Sequence, residues 1–185
     1  PANSGDDLEL TLTATATEAE NGDQGTSMES FTVTVNAVAD DPQVGVTAAG
    51  GDEDTAIDLD LSAALADTDG SENLAIALSC VPVGATLSAG TDNGDGSWSL
   101  GVAELEGLTI TPLGDSAEDF TLTLTATATE DENSDQASSQ QTFDVTVSAV
   151  ADAPSVDVQD TAGDQDTAIT LDIAAALTDT DGSES

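Results

Sequence analysis

The chain has 185 residues and 38 acidic side chains, with no Lys, Arg or His, so its formal net charge is −38. No side-chain salt bridge can form, and nucleic acid and anionic membrane surfaces are repelled. High charge with few aromatics is a disorder signature, yet a 38% apolar fraction is near the globular range. The composition therefore predicts a fold whose self-repulsion is offset by dissolved cations, with disorder as the alternative when divalent cations are absent.

In chain order, Leu8, Leu10, Leu12, Ala14 and Ala16 alternate with Thr and Glu, which predicts a strand with one buried face. An acidic loop, Glu18 to Asp23, follows. Phe31, Val33, Val35 and Ala37 form a second alternating row, ending in the linker Ala39-Asp40-Asp41-Pro42. Gly51-Asp52-Glu53-Asp54 precedes a shorter alternating strand, Ile57-Leu59-Leu61, and Ser62 to Leu65 is expected to close a short helical turn. Asp67-Thr68-Asp69-Gly70-Ser71-Glu72-Asn73 is an acidic turn before the strand Leu74-Ile76-Leu78. Cys80 is the single cysteine, so no internal disulfide forms; it is expected to pack at a strand end. Thr91 to Gly96 reads as a hairpin, with Trp98 packed in its strand pair. Val102 to Leu105 reads as a turn, and Leu108-Ile110 as a strand. After Asp115-Ser116-Ala117-Glu118 come two long alternating rows, Phe120 to Ala128 and Phe143 to Ala149, joined through Glu130 to Asp135. No apolar run approaches the length of a membrane span.

The chain contains a copy of itself. Residues 1–73 match 113–185 without a gap at an offset of 112, with 44 identities in 73 positions. A long fixed period indicates a tandem array. Residues 42–153, between two linker prolines, read as one complete repeat. Residues 1–41 then read as the C-terminal part of a preceding repeat and 154–185 as the N-terminal part of a following one. With no Met at Pro1 and no leader, the chain is expected to be a window on a longer array. About seven strands per 112 residues predicts an all-β fold, a tandem Greek-key β-sandwich. The core is rich in Ala and Thr and poor in rings, so modest intrinsic stability is expected.

Calcium takes six to eight hard oxygens. The candidates are Asp67, Asp69 and Glu72 with the copies Asp179 and Asp181, and Glu130 with its copy Glu18. The linker residues Asp40, Asp41 and Asp152 join them, as do Glu53 and Asp54 with Asp166, the copy of Asp54. The first turn is not an EF-hand, because Gly falls at its fourth position and Leu78 at its twelfth.

This layout resembles a cadherin-type repeat. It is still more similar to the bacterial cadherin-like or Ig-like repeats of giant surface adhesins and RTX-type exoproteins. The residues that carry the resemblance are the linker Ala149-Val150-Ala151-Asp152-Ala153-Pro154 and the loop Asp67 to Glu72. Glu53/Asp54 before the second strand and Ala128-Thr129-Glu130 add to it. Asp115 and Glu118 lie where the family's D-R-E motif falls, without its Arg, and a surface loop explains them as well. The resemblance implies Ca²⁺ as the ligand, neighbouring repeats as partners, and export, by type I secretion, to the cell surface or extracellular space. Strand direction in such a sandwich places Asp40, Asp41, Asp67, Asp69 and Glu130 at the end where the chain enters. Glu53, Asp54, Asp115 and Glu118 fall at the opposite end, beside Asp152, Asp179 and Asp181.

An enzyme is not expected: without His or Lys the usual general bases and Schiff-base chemistry are missing. The favoured reading is a calcium-rigidified extender of an adhesin or extracellular fibre. The alternative is a carbohydrate- or partner-binding module of a biofilm matrix protein, with Trp98 as the residue of interest. Lateral association of chains requires bridging cations.

Overall fold

The computed structural model describes residues 5–178. Within them the chain is all-β, with no α-helix and one 3-10 turn at Val102–Glu104. The strands in order are β1 (Leu8–Thr17), β2 (Gln24–Val33), β3 (Gln43–Val46), β4 (Ala49–Asp52), β5 (Ile57–Asp58), β6 (Leu61–Ala64), β7 (Glu72–Ser79) and β8 (Thr86–Leu87). They continue as β9 (Thr91–Asp92), β10 (Trp98–Leu100), β11 (Thr109–Thr111), β12 (Phe120–Glu130), β13 (Gln136–Ser148), β14 (Ser155–Val158) and β15 (Ile173–Ala176).

The largest sheet has the order β4-β13-β12-β7-β10-β9, and β5-β11-β8 forms a second. The period-two pattern decides which side chains are buried. Leu122, Leu124, Ala126 and Ala128 of β12 and Phe143, Val145 and Val147 of β13 point into the core. Ile57, Leu59, Leu61, Ile76, Leu78, Leu87, Leu100, Leu108 and Ile110 are among the other buried residues. Thr fills the alternate positions of β12, and polar residues those of β13, and they meet across the strands: Thr127 and Ser138 lie 2.9 Å apart, and Thr121 donates to Asp144 at 2.7 Å.

The 112-residue period is visible in the backbone. β1 and β2 pair antiparallel in the positions of β12 and the first part of β13. The loop bond from Glu18 N to Asp23 O (2.8 Å) returns as Glu130 N to Asp135 O (2.9 Å), and Asn21 and Asn133 cap the two loops alike. β14 and β15 pair in the positions of β3 and β6. The burial differs: Leu10 and Leu12 are exposed, whereas their equivalents Leu122 and Leu124 are fully buried.

Two compact units are distinguishable. One holds the chain up to Val44 with Ala63–Ala75 and Ala126–Ser139; the other holds Gly45–Ser62, Ile76–Thr125 and the chain from Gln140 onward. β7, β12 and β13 contribute residues to both.

Three expectations are corrected. Ser62 to Leu65 forms no helical turn: Leu61 and Ala63 continue the alternating burial of Ile57 and Leu59, and β6 runs through them. Eleven strands, not about seven, lie between Gln43 and Ser148, because turns split the edges into two- and three-residue pieces. Cys80 follows β7 but does not pack; it is exposed, with a left-handed φ of 65°.

Candidate functional site

Strand direction builds two acidic clusters, each within one compact unit. The first forms where β12 ends and β7 begins. Asp131 N donates to Ser71 O at 2.9 Å, and Ser79 Oγ donates to Thr123 O at 3.4 Å. Both bonds fit one antiparallel register, which sets Glu72 opposite Glu130. Glu72 is the first buried position of β7 and Glu130 the last of β12, and each is buried, 7% and 3% exposed. The row that carries Leu124, Ala126 and Ala128 thus terminates in a carboxylate.

The surrounding bonds fix this cluster. Glu72 Oε1 accepts from Asp40 N at 2.8 Å, which ties the linker to β7. Asp67 is buried, and its Oδ1 accepts from Asp69 N at 2.8 Å; Asp69 Oδ1 in turn accepts from Ser71 N at 2.8 Å. Gly70 makes this turn possible at φ 93°. Asp135 Oδ2 accepts from Ala39 N at 3.1 Å, and Asn133 donates to Ala37 O at 2.7 Å. Asn73 donates to Asp131. Asp6, Asp69, Glu130, Asp131 and Glu132 line an open cavity of about 500 Å³ beside the cluster.

Electrostatics follow from this crowding. Burial pushes the Glu130 carboxyl above its ordinary range; the Ser71 hydroxyl pulls it back, and the charges of Glu72, Asp67 and Asp69 raise it further. Exposed Asp69 is held below its ordinary range by the side-chain and backbone hydrogen bonds of Ser71.

The second cluster forms where β4 and β13 end. They pair in parallel, Val145 with Ala49 through Ser148 with Asp52, so both strands finish at the same edge. Glu53 N donates to Ser148 O at 3.0 Å, and Glu53 Oε1 accepts from Val150 N at 2.7 Å. Glu53 is 2% exposed. Beyond it, one carboxylate oxygen each from Asp54, Asp115 and Asp152 lies within 4.8 Å of the others. Asp54 and Asp115 take left-handed φ values of 57° and 53°, and Asp54 Oδ1 accepts from Asp115 N at 3.0 Å. Asp is among the few side chains that tolerate this conformation.

A test of fit to a cation comes from the oxygens themselves. Glu53 Oε2, Glu72 Oε2 and Glu130 Oε2 are buried and accept no hydrogen bond. A buried carboxylate oxygen without a donor is costly. Two of these oxygens belong to the first cluster and one to the second, and hard, acceptor-only oxygens are the donor type that calcium takes.

The remaining candidates are placed differently. Asp41 is exposed beside buried Pro42. Glu118 is exposed and lines a separate cavity with Pro82, Leu113 and Phe120, outside the Asp54 triad. Glu18 and Asp166 are exposed in loops that copy those of Glu130 and Asp54, and neither joins a cluster among the described residues. Asp179 and Asp181 lie outside the described residues. Asp131 and Asp135, within the acidic loop 130–135, lie beside the first cluster, and so does Asp6, which no sequence pattern singles out. That loop is the only sequence signal for Asp131 and Asp135. Comparison with protein-family models gives no match, and no curated protein matches the sequence.

Proposed function

We propose that this chain is a calcium-rigidified extender segment of a bacterial cell-surface adhesin or extracellular fibre, with no catalytic role. Residues 42–153 are one Greek-key sandwich repeat of the cadherin-like or Ig-like kind, flanked by parts of its neighbours. The observation that carries this reading is the pair of buried, opposed carboxylates Glu72 and Glu130 in a chain that has no cationic side chain. Like charges directly opposite on neighbouring strands destabilise a sheet. Only a partner from solution can neutralise them.

Glu72, Glu130, Asp67 and Asp69 would hold calcium at one end of the repeat, with Asp40 and Asp41 at the linker. Glu53, Asp54, Asp115 and Asp152 would hold it at the other. A bound ion supplies charge neutralisation and a crosslink between segments far apart in sequence. Linker residues at both clusters make the ions clamps between successive repeats. Asp166, Asp179 and Asp181 would extend the same arrangement into the following repeat, and Glu18 into the preceding one. Cytosolic calcium is far below the 10⁻⁴–10⁻³ M dissociation constants of extracellular modules. Folding would therefore complete after export.

Titration calorimetry tests the assignment. Calcium is expected to bind saturably in roughly that concentration range. The double variant Glu72→Gln/Glu130→Gln is expected to lose the sites of the first cluster and keep those of the second. Identical calcium binding by the double variant would overturn it.

A further inference from the structure

A small cavity of about 190 Å³ lies in residues 81–98, apart from both acidic clusters, and is lined by Pro82, Val83, Ala85, Asp92, Gly94 and Trp98, among others. Its walls are two turns. In one, Ala85 N donates to Pro82 O at 3.1 Å; the other is the hairpin between β9 and β10, with Gly94 and Gly96 both at φ 81°. Val81 N donates to Gly96 O at 3.0 Å and ties the two together. In the hairpin, Trp98 pairs directly with Asp92 on one side and Leu78 on the other. Directly opposed residues share a face, and both Trp98 and Asp92 line the cavity. Leu78 is fully buried, Trp98 half-buried and Asp92 exposed, so this row runs from the core out to solvent through the indole. Asp92 Oδ1 accepts from Gly94 N at 2.8 Å, which holds the carboxylate in place. Val83, 96% exposed, forms the lip.

The chemistry of this lining selects a ligand. Asp92 is its only charged side chain, and it accepts but does not donate when ionised. An aromatic face beside a carboxylate attracts a cation with an apolar body. The −38 field excludes anionic ligands. A hydroxylated ring carrying an ammonium group meets each condition: its C–H face stacks on the indole, and its ammonium and hydroxyls donate to Asp92. We propose that the Trp98–Asp92 cavity binds a hexosamine with a free amine, as found in an N-deacetylated polysaccharide. A repeat that carries this cavity would then also hold a cationic glycan.

Trp98 is the only tryptophan, so its fluorescence reports on the site directly. The probe is a glucosamine tetramer, titrated into the calcium-loaded full chain at physiological salt, with the N-acetylated tetramer as comparison. The expected result is a saturable change in Trp98 emission. Asp92→Asn is expected to weaken binding by about tenfold or more, the scale of one charge-assisted hydrogen bond. Diffuse attraction of a cationic oligomer to the whole chain would barely notice the loss of one charge among 38. Trp98→Phe, followed by calorimetry, is also expected to weaken binding, and an unchanged calcium-loaded melting temperature shows that each variant folds. Equal affinity for wild type and Asp92→Asn, equal binding of the two tetramers, or no saturable emission change would each overturn the proposal.

Discussion

A carboxylate at the end of a core-facing row destabilises a fold unless something neutralises it. Glu130 is such a residue, and its replacement separates the two states of the site. With calcium chelated, Glu130→Gln removes a buried charge opposed by Glu72 and is expected to raise the melting temperature. In calcium it removes a proposed ligand and is expected to lower it. That crossing of signs is checked by scanning both proteins in both buffers. The pH dependence follows from the same group. Its folded-state pKa lies above the ordinary carboxyl value, so the folded state binds more protons in the window between them, and stability falls as pH rises through it. Asp69 has the opposite sign: its lowered pKa contributes stability above the ordinary value that is lost as pH falls. Glu130 is buried and repelled by three acids, so its sign is expected to prevail. The calcium-free protein should melt higher at pH 5 than at pH 7, and the calcium-loaded protein lower at pH 5, where protons compete for the ligands. Glu53→Gln belongs here too, since the copy of Glu53 is Gln165. The substitution keeps an acceptor for Val150 N but removes the charge, and calorimetry should show weaker calcium binding at the second cluster alone.

At the scale of elements, β12 and β13 hold the core, and the loop between them holds the linker. Leu124 is fully buried, so Leu124→Ala is expected to cost about 2–5 kcal/mol in calcium, measured by denaturant unfolding. Asn133→Ala removes the acceptor for Asp135 N and the donor to Ala37 O, and is expected to cost about 1–3 kcal/mol by the same measurement. The alternation of Leu122 to Ala128 and Phe143 to Val147 was legible in the sequence because period two leaves few other solutions. Their copies at an offset of 112 gave the loops as well. Less legible was where a strand stops. Glu130 reads as the start of an acidic loop, yet it is the last inward residue of β12. Ser62 to Leu65 reads as a helical turn from its Ala content, but the buried row from Ile57 onward overrides that propensity. The clustering of Asp54, Asp115 and Asp152 followed from strand direction. The burial of Glu53 did not, because it depends on the parallel pairing of β4 with β13. Glu18 shows the limit of copying: its loop matches that of Glu130, but among the described residues its sheet has two strands and no strand like β7 pairs with it.

For the whole molecule, −38 charges without a compensating side chain make the folded state sensitive to every cation in solution. Sodium chloride screens diffuse repulsion, so raising it from about 0.01 to 0.15 M shortens the screening length from about 30 to 8 Å and should raise the melting temperature of the chelated protein. Calcium acts at far lower concentration if it fills built sites. At roughly 10 mM, a site with a dissociation constant of about 10⁻⁴–10⁻³ M adds about 1.4–2.7 kcal/mol, so one ion at each cluster adds about 3–5 kcal/mol. The most direct measurement is scanning calorimetry of the chain in 10 mM calcium and in chelator, at equal ionic strength. Adding calcium is expected to raise the melting temperature by on the order of 10 °C or more. An unchanged melting temperature would contradict it.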